Sequence, residues 1–335
     1  MKFITFGEVL MRLSTEPSRT FKTTDQFNLN IGGSEMNVAL SLAASGIDTA
    51  MITVVPDNPF GNRIVTILNN NNVDTSNIRL DGPRLGTYFL EQGFNIRSSS
   101  VVYDRKYSSF EQTKAGDFDF KKIFEDYDWF HFSGINPALS GDIQEILFEA
   151  VRTASEIGLK ISSDLNFRGS LWTFEEARKT MPQYIKYCDV IFGYEPLELI
   201  EDGKDIKDGL ERNPDTETLQ PILKKIHEVY DVSHIAFTQR TVIHSNKHII
   251  KGVYSTPSGL VETNTYKVEI LDRIGTGDAF TAGILHGLIN ETDHEKTLQK
   301  ALGNMLYKHT ISGDSIMEDI SIMDKFLDTT QEVKR

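Results

Sequence analysis

Two short stretches of this chain set reactive side chains beside glycine in ways that suit phosphate chemistry. The first is Asp272-Arg273-Ile274-Gly275-Thr276-Gly277-Asp278-Ala279-Phe280, with helix-forming residues after it. Glycine lets a backbone come close to a ligand, and the first turn of a helix offers unpaired N–H groups at the positive end of its dipole. A carboxylate in that turn repels an anion. It makes sense if it takes the proton of a hydroxyl about to attack the phosphorus. Asp278 is therefore either a general base or a plain helix cap. The second stretch is Gly32-Gly33-Ser34-Glu35-Met36-Asn37-Val38-Ala39, running to Gly46. Its glycine pair leads into small residues and allows close approach to a ligand. A glycine pair is also an ordinary turn, so alone it decides little.

The elements that must carry these turns alternate along the chain. Phe3–Phe6, Ala50–Val55, Trp129–Phe132, Lys160–Leu165, Val190–Phe192 and Ile235–Thr238 read as strands. Ser34–Ala44, Asn58–Leu68, Asp142–Ile157, Ala279–Leu288 and Glu295–Tyr307 read as helices, and Gly158 stops the third of them. Repeated strand–helix units predict an α/β fold, a mostly parallel sheet with helices on both faces. Arg19–Asn30, Gly86–Gln92 and Ser99–Lys106 alternate polar and apolar residues instead. They predict a few antiparallel strands with one wet face, too few for their own core, attached as a lid at about 15–31 and 84–110. Phe118–Tyr127 reads as a solvated face, and Glu201–Glu217 as an exposed loop.

Composition sets the outer limits. The chain has 335 residues, 39% of them apolar, with 35 Lys+Arg against 48 Asp+Glu and a net charge of −13. That supports a sizeable core in one large α/β domain or two ordinary ones. The acidic balance argues against nucleic acid as a partner. Apolar runs fall short of the ~20 residues of a membrane span. The single cysteine, Cys188, makes no disulfide framework or zinc site, which points to a reducing cytoplasm. Phe3–Phe6 is followed by Gly7-Glu8-Val9 rather than Gly-x-Gly-x-x-Gly, which disfavours a dinucleotide oxidoreductase.

Taken together, the two glycine stretches resemble the two signature patterns of the ribokinase-like (PfkB) carbohydrate kinases. Asp57-Asn58-Pro59-Phe60-Gly61 is similar to that family's Asp-x-x-Phe-Gly element. The resemblance implies one doubly wound domain over 1–335 with a small β-sheet lid, transferring the ATP γ-phosphoryl group to a sugar hydroxyl with Mg²⁺. It implies that Asp278 is the base, that Gly275, Thr276 and Gly277 form the anion hole, and that Gly33 and Asn37 line the sugar site. Thr238 and Arg240, with Gly275 and Gly277, fall on the nucleotide side. Within the family the chain is most similar to the 2-keto-3-deoxygluconate kinases. Gly7-Glu8-Val9-Leu10, Tyr88, Tyr103-Asp104-Arg105, Asp164-Leu165-Asn166-Phe167-Arg168 and Gly313-Asp314 resemble theirs.

That likeness implies a keto-deoxy sugar acid phosphorylated at its 6-hydroxyl. Its carboxylate would be met by Arg105 and Arg168, since guanidinium presents a fork of donors matched to a carboxylate, with Arg168 serving the ATP phosphates as the alternative. Tyr88, Tyr103, Asn166 and Asp314 would complete the sugar site. Fructokinase, ribokinase and other neutral-sugar or nucleoside kinases of the family are the alternative, as is a sugar-binding regulator that has lost catalysis. Two departures stand out. Tyr194-Glu195-Pro196-Leu197-Glu198 replaces the Asn-x-x-Glu of many relatives, leaving Glu198 at the metal position. The stretch Thr238–Ser245 lacks the glycines of their nucleotide loop. Uncovered lid edges invite pairing with a second subunit, so a homo-oligomer formed through the lid is expected.

Overall fold

The structure is a computed structural model and describes residues 1–325. The end of the expected 1–335 domain therefore lies outside the described residues. The large sheet runs Gly259–Glu262, Lys247–Thr256, His234–His244, Val190–Phe192, Lys160–Asp164, Trp129–Ser133, Lys2–Phe6, Asp48–Val55, Val73–Asp74. From His234–His244 to Val73–Asp74 every neighbouring pair is parallel. The strands are apolar on both faces because helices cover both. Phe130, Phe132, Ile161 and Ile191 join one layer of core, and Phe3, Trp129, Val190 and Ala236 the other. The chain winds from Lys2–Phe6 to Asp48–Val55 on one side, then crosses to Trp129–Ser133 on the other. Ligands of open α/β sheets bind at the carboxyl ends of the strands beside such a reversal.

Helix Ser34–Ala44 packs against Thr276–Ile289 through Val38, Leu42, Phe280 and Ile284. Small residues on both helices let them lie close, so their N-terminal turns open side by side. Asn304, fully buried on His294–Lys308, donates to the Ala279 carbonyl at 2.7 Å and fixes the start of the Thr276 helix.

Three expectations need correction. The small sheet has four strands, ordered Asn28–Gly32, Leu10–Ser14, Gly86–Glu91, Ser100–Asp104, and its central pair is parallel. Residues 15–27 are turns, and the missed strand is Leu10–Ser14. Its inward face carries Leu10, Arg12 and Ser14, so a buried arginine disguised the alternation. Phe118–Tyr127 is not a solvated face, because Phe118, Phe120 and Phe124 pack with Phe6, Phe110 and Phe130. The Glu201–Glu217 stretch holds a short hairpin, Ile200–Glu201 with Lys204–Asp205, pinned by the buried Lys207 between Glu195 at 2.8 Å and Asp205 at 3.2 Å. Cys188 is buried among apolar residues, and that burial raises its thiol pKa.

Candidate active site

A cleft of about 530 Å³ opens at the carboxyl ends of the parallel strands, between the large sheet and the small one. Its floor is the turn that starts helix Thr276–Ile289. Gly275 has φ +75°, and a Cβ there would lie 1.7 Å from the carbonyl oxygen of Asp314. Only glycine fits that conformation in that space. The turn therefore brings the N–H groups of Gly275, Thr276 and Gly277 to one concave surface, with Asp278 one residue on.

Asp278 is half-buried and held by the neighbouring helix. Ser34 Oγ donates to its Oδ1 at 2.8 Å, and Asn37 Nδ2 to its Oδ2 at 2.6 Å. Burial pushes this carboxyl above its ordinary range, while the Asn37 and Ser34 hydrogen bonds and the charges of Arg168 and Lys308 pull the other way. Asn166 Nδ2 donates to Ser34 Oγ at 3.1 Å, so Asn166, Ser34 and Asp278 form one chain. Asn37 Oδ1 in turn accepts from Ser315 Oγ at 2.8 Å. A carboxylate offers about four lone-pair sites, so two donors leave room for a substrate hydroxyl.

Two further carboxyls beside it are displaced by burial, Glu35 and Asp164, each to about 7. Glu35 accepts from Asn136 at 2.9 Å. Asp164 ends its strand and accepts from the Asn166 N–H at 3.0 Å.

One end of the cleft is walled by the small sheet. Tyr88 and Tyr103 sit with ring centroids 5.7 Å apart, and Tyr88 Oη donates to Asp314 at 3.2 Å. Arg105 lies 5.8 Å from the Tyr103 ring centroid. Its Nε donates to Glu8 at 2.9 Å and its Nη2 reaches the same carboxylate, which Ser108 also meets. Nη1 of Arg105 has no protein partner among the described residues. The glycine pair has a local reason: a Cβ on Gly32 would run into the Asp314 carboxyl, and one on Gly33 into the Glu8 carbonyl.

The other end is cationic. Arg168, Arg212, Arg240 and Arg273 line it together with Thr238 and Asn213. Among the described residues none of these four guanidiniums has a carboxylate in ion-pair range. Burial and the charges of Arg273, Arg212 and Arg168 bring Arg240 down to about 10. A second cavity of about 370 Å³ adjoins here, sharing Asp164, Arg212, Thr238 and Gly277, with Phe192, Ala236 and Phe280 behind.

Every residue given a catalytic, sugar or nucleotide role in the sequence reading lines this cleft, whereas Glu198, given the metal role, does not. Leu197 and Leu199 point into the core, so Glu198 turns outward, 3.6 Å from Arg178. Sequence reasoning missed Arg212, Arg273, Ser34 as a ligand of Asp278, and the buried Arg12. Ser34 lay inside the quoted motif and was readable as a donor. Arg212 sits in a charge-rich stretch with no local signal.

The sequence matches the pfkB family carbohydrate kinases over residues 2–306, and the chain belongs to that family. It is 30% identical over 314 residues to the 2-dehydro-3-deoxygalactonokinase of Haloferax volcanii, covering 93% of this chain and 92% of that protein. Among solved structures it is similar to the 2-dehydro-3-deoxygluconokinase of Thermotoga maritima, with TM-score 0.91 and 34% identity over 98% of this chain and 100% of that one. A PfkB family carbohydrate kinase from Listeria grayi has TM-score 0.88 and 34% identity, over 97% and 99% of the two chains. The chain is a carbohydrate kinase with the ribokinase-like α/β fold. No helix among the described residues is long and apolar enough to cross a membrane.

Proposed function

We propose that the protein phosphorylates a keto-deoxy sugar acid, 2-keto-3-deoxygluconate (2-dehydro-3-deoxygluconate) or its galactonate epimer, at the 6-hydroxyl, with ATP as donor. The observation that carries this is one cleft with two chemically different ends meeting at Asp278. The small sheet forms the lid, with Tyr88, Tyr103 and Asp314 around the sugar and the Nη1 edge of Arg105 toward its carboxylate. Arg105 spends two nitrogens on Glu8, which fixes the guanidinium plane and leaves one edge for the ligand. The names of the Haloferax and Thermotoga relatives support a substrate of this class.

The phosphates of ATP lie along the unpaired arginines and the Gly275–Gly277 turn. Adenosine extends into the second cavity against Phe192 and Phe280. Asp278 takes the proton of the 6-hydroxyl as its oxygen bonds to the γ-phosphorus; the bond to the bridging oxygen breaks and ADP leaves. Charge spreading over the transferred group is stabilised by the turn's N–H groups and the arginines.

Mg²⁺ supplies further charge neutralisation on the phosphates. No three His, Cys, Asp or Glu side chains converge as a metal cage among the described residues. This suits Mg²⁺, which is commonly held by substrate phosphates and one or two carboxylates. Asp164, a carboxylate that ends its strand in the cleft and has no ion-pair partner among the described residues, would hold it; Glu198 lies outside the cleft.

A coupled assay over a sugar panel tests the substrate. Turnover of a keto-deoxy sugar acid, with Arg105→Ala raising its KM far more than that of any neutral sugar, is the expected result. Turnover of fructose or ribose but of no sugar acid would overturn the substrate assignment.

A further inference from the structure

Arg12 belongs to no lining of the cleft, yet it is the largest fully buried side chain among the described residues, 1% exposed. A guanidinium taken out of water costs several kcal/mol unless it is paired. Arg12 is paired twice, with carboxylates from separate parts of the chain. Its Nη1 and Nη2 donate to Asp272 at 3.3 and 2.8 Å, and its Nε lies 2.8 Å from Asp314 Oδ1.

Each carboxylate governs a different half of the site. Asp272 opens the phosphate turn and accepts the Ile274 N–H at 3.0 Å and the Gly313 N–H at 3.2 Å. Asp314 accepts from Tyr88, and its own carbonyl packs against Gly275. A second buried cation beside these carboxylates, Lys308, donates to the Ile311 carbonyl at 3.2 Å. The buried set thus holds two cations and two anions.

We propose that Arg12 is a positioning residue that holds the sugar-facing Asp314 and the phosphate turn at one fixed spacing. This rests on the reading that the sugar lies against Tyr88 and Asp314. One guanidinium from the small sheet then sets both the acceptor's hydroxyls and the N–H groups that meet the γ-phosphoryl group, and a misplacement of about 1 Å between such partners is costly in rate. The groups facing Asp314 are Arg12, Asp272, Tyr88 and Lys308. Burial carries the Asp314 carboxyl up to about 6, with Arg12 the main opposing charge. Without Arg12 it protonates at still higher pH, and one of its oxygens becomes a donor instead of an acceptor for sugar hydroxyls.

The test is steady-state kinetics, pH profiles and hydrogen exchange of Arg12→Gln and Arg12→Lys, using whichever sugar the wild type phosphorylates. The wild-type panel thus judges the substrate reading before any variant is made. In Arg12→Gln, kcat should fall and sugar KM rise by about tenfold or more, with ATP affinity within threefold. The pH at which sugar KM climbs on acidification should move up by a unit or more. Arg12→Lys keeps the charge, so its pH profile should stay near wild type while kcat falls severalfold. Amides over residues 271–278 should exchange faster in both. A folded Arg12→Gln with wild-type constants and profile would overturn the proposal. If that variant does not fold, a wild-type kcat in Arg12→Lys would overturn it equally.

Discussion

Glu35, next to the Ser34 that holds Asp278, is a buried carboxyl whose nearest compensation is neutral: Asn136, Ser133 and backbone. Desolvation lifts it from an ordinary 4.5 to about 7, and Asp278 adds repulsion. The folded state therefore binds this proton more tightly than the unfolded chain does. Stability from that proton is full below about 4.5 and is lost as pH rises through about 7. Glu35→Gln, which keeps an acceptor for Asn136, should stabilise the fold by about 1–3 kcal/mol at pH 8.5 and by almost nothing at pH 4.5. Urea unfolding at the two pH values checks this, and equal effects at both would contradict it. Residue types at the site were readable where the chemistry is local, as in Asp278 beside Gly275 and Gly277. Arg12 was not, because only its distant partners, Asp272 and Asp314, explain a buried guanidinium.

Helix Thr276–Ile289 shows how two glycines two residues apart do different work. Gly275 holds a left-handed conformation with the Asp314 carbonyl where a side chain would go, whereas a Cβ on Gly277 meets nothing within 4 Å. Gly275→Ala should cost about 2–4 kcal/mol and most of the activity. Gly277→Ala should leave stability within about 0.5 kcal/mol and act on ATP KM, since Gly277 lines both cavities. Thermal melts and kinetics of the pair separate the two roles; equal destabilisation would refute the contrast. Parallel strands such as Val190–Phe192 were legible from continuous apolar runs. The antiparallel extension His234–His244 with Lys247–Thr256 was not, because Gln239 and Arg240 interrupt the apolar pattern where the first strand borders the site. Fold class thus follows from periodicity, while the edge strands follow from contacts that periodicity does not encode.

On the scale of the whole molecule, a chain of net charge −13 gathers at one end of one cleft four arginines that have no carboxylate partner among the described residues. A concave, low-dielectric site focuses that local field despite the acidic surface, which suits a polyanionic donor. The sheet reversal supplies the location, the small sheet walls one end of the cleft, and Asp278 stands between that end and the arginines. The acidic composition argues against nucleic acid as a partner but carried no hint of this local reversal of sign, because Arg168, Arg212, Arg240 and Arg273 converge only in the folded chain. The central claim is that the Asp278 carboxylate takes the acceptor's proton, and Asp278→Asn tests it most directly. Asparagine keeps the size and leaves an acceptor for Ser34 or Asn37, but it cannot serve as the base. Single-turnover phosphoryl transfer should fall by at least about 100-fold while calorimetric sugar and ATP affinities stay within about fivefold. Transfer within a few fold of wild type, in a variant that still binds both substrates, would contradict the account.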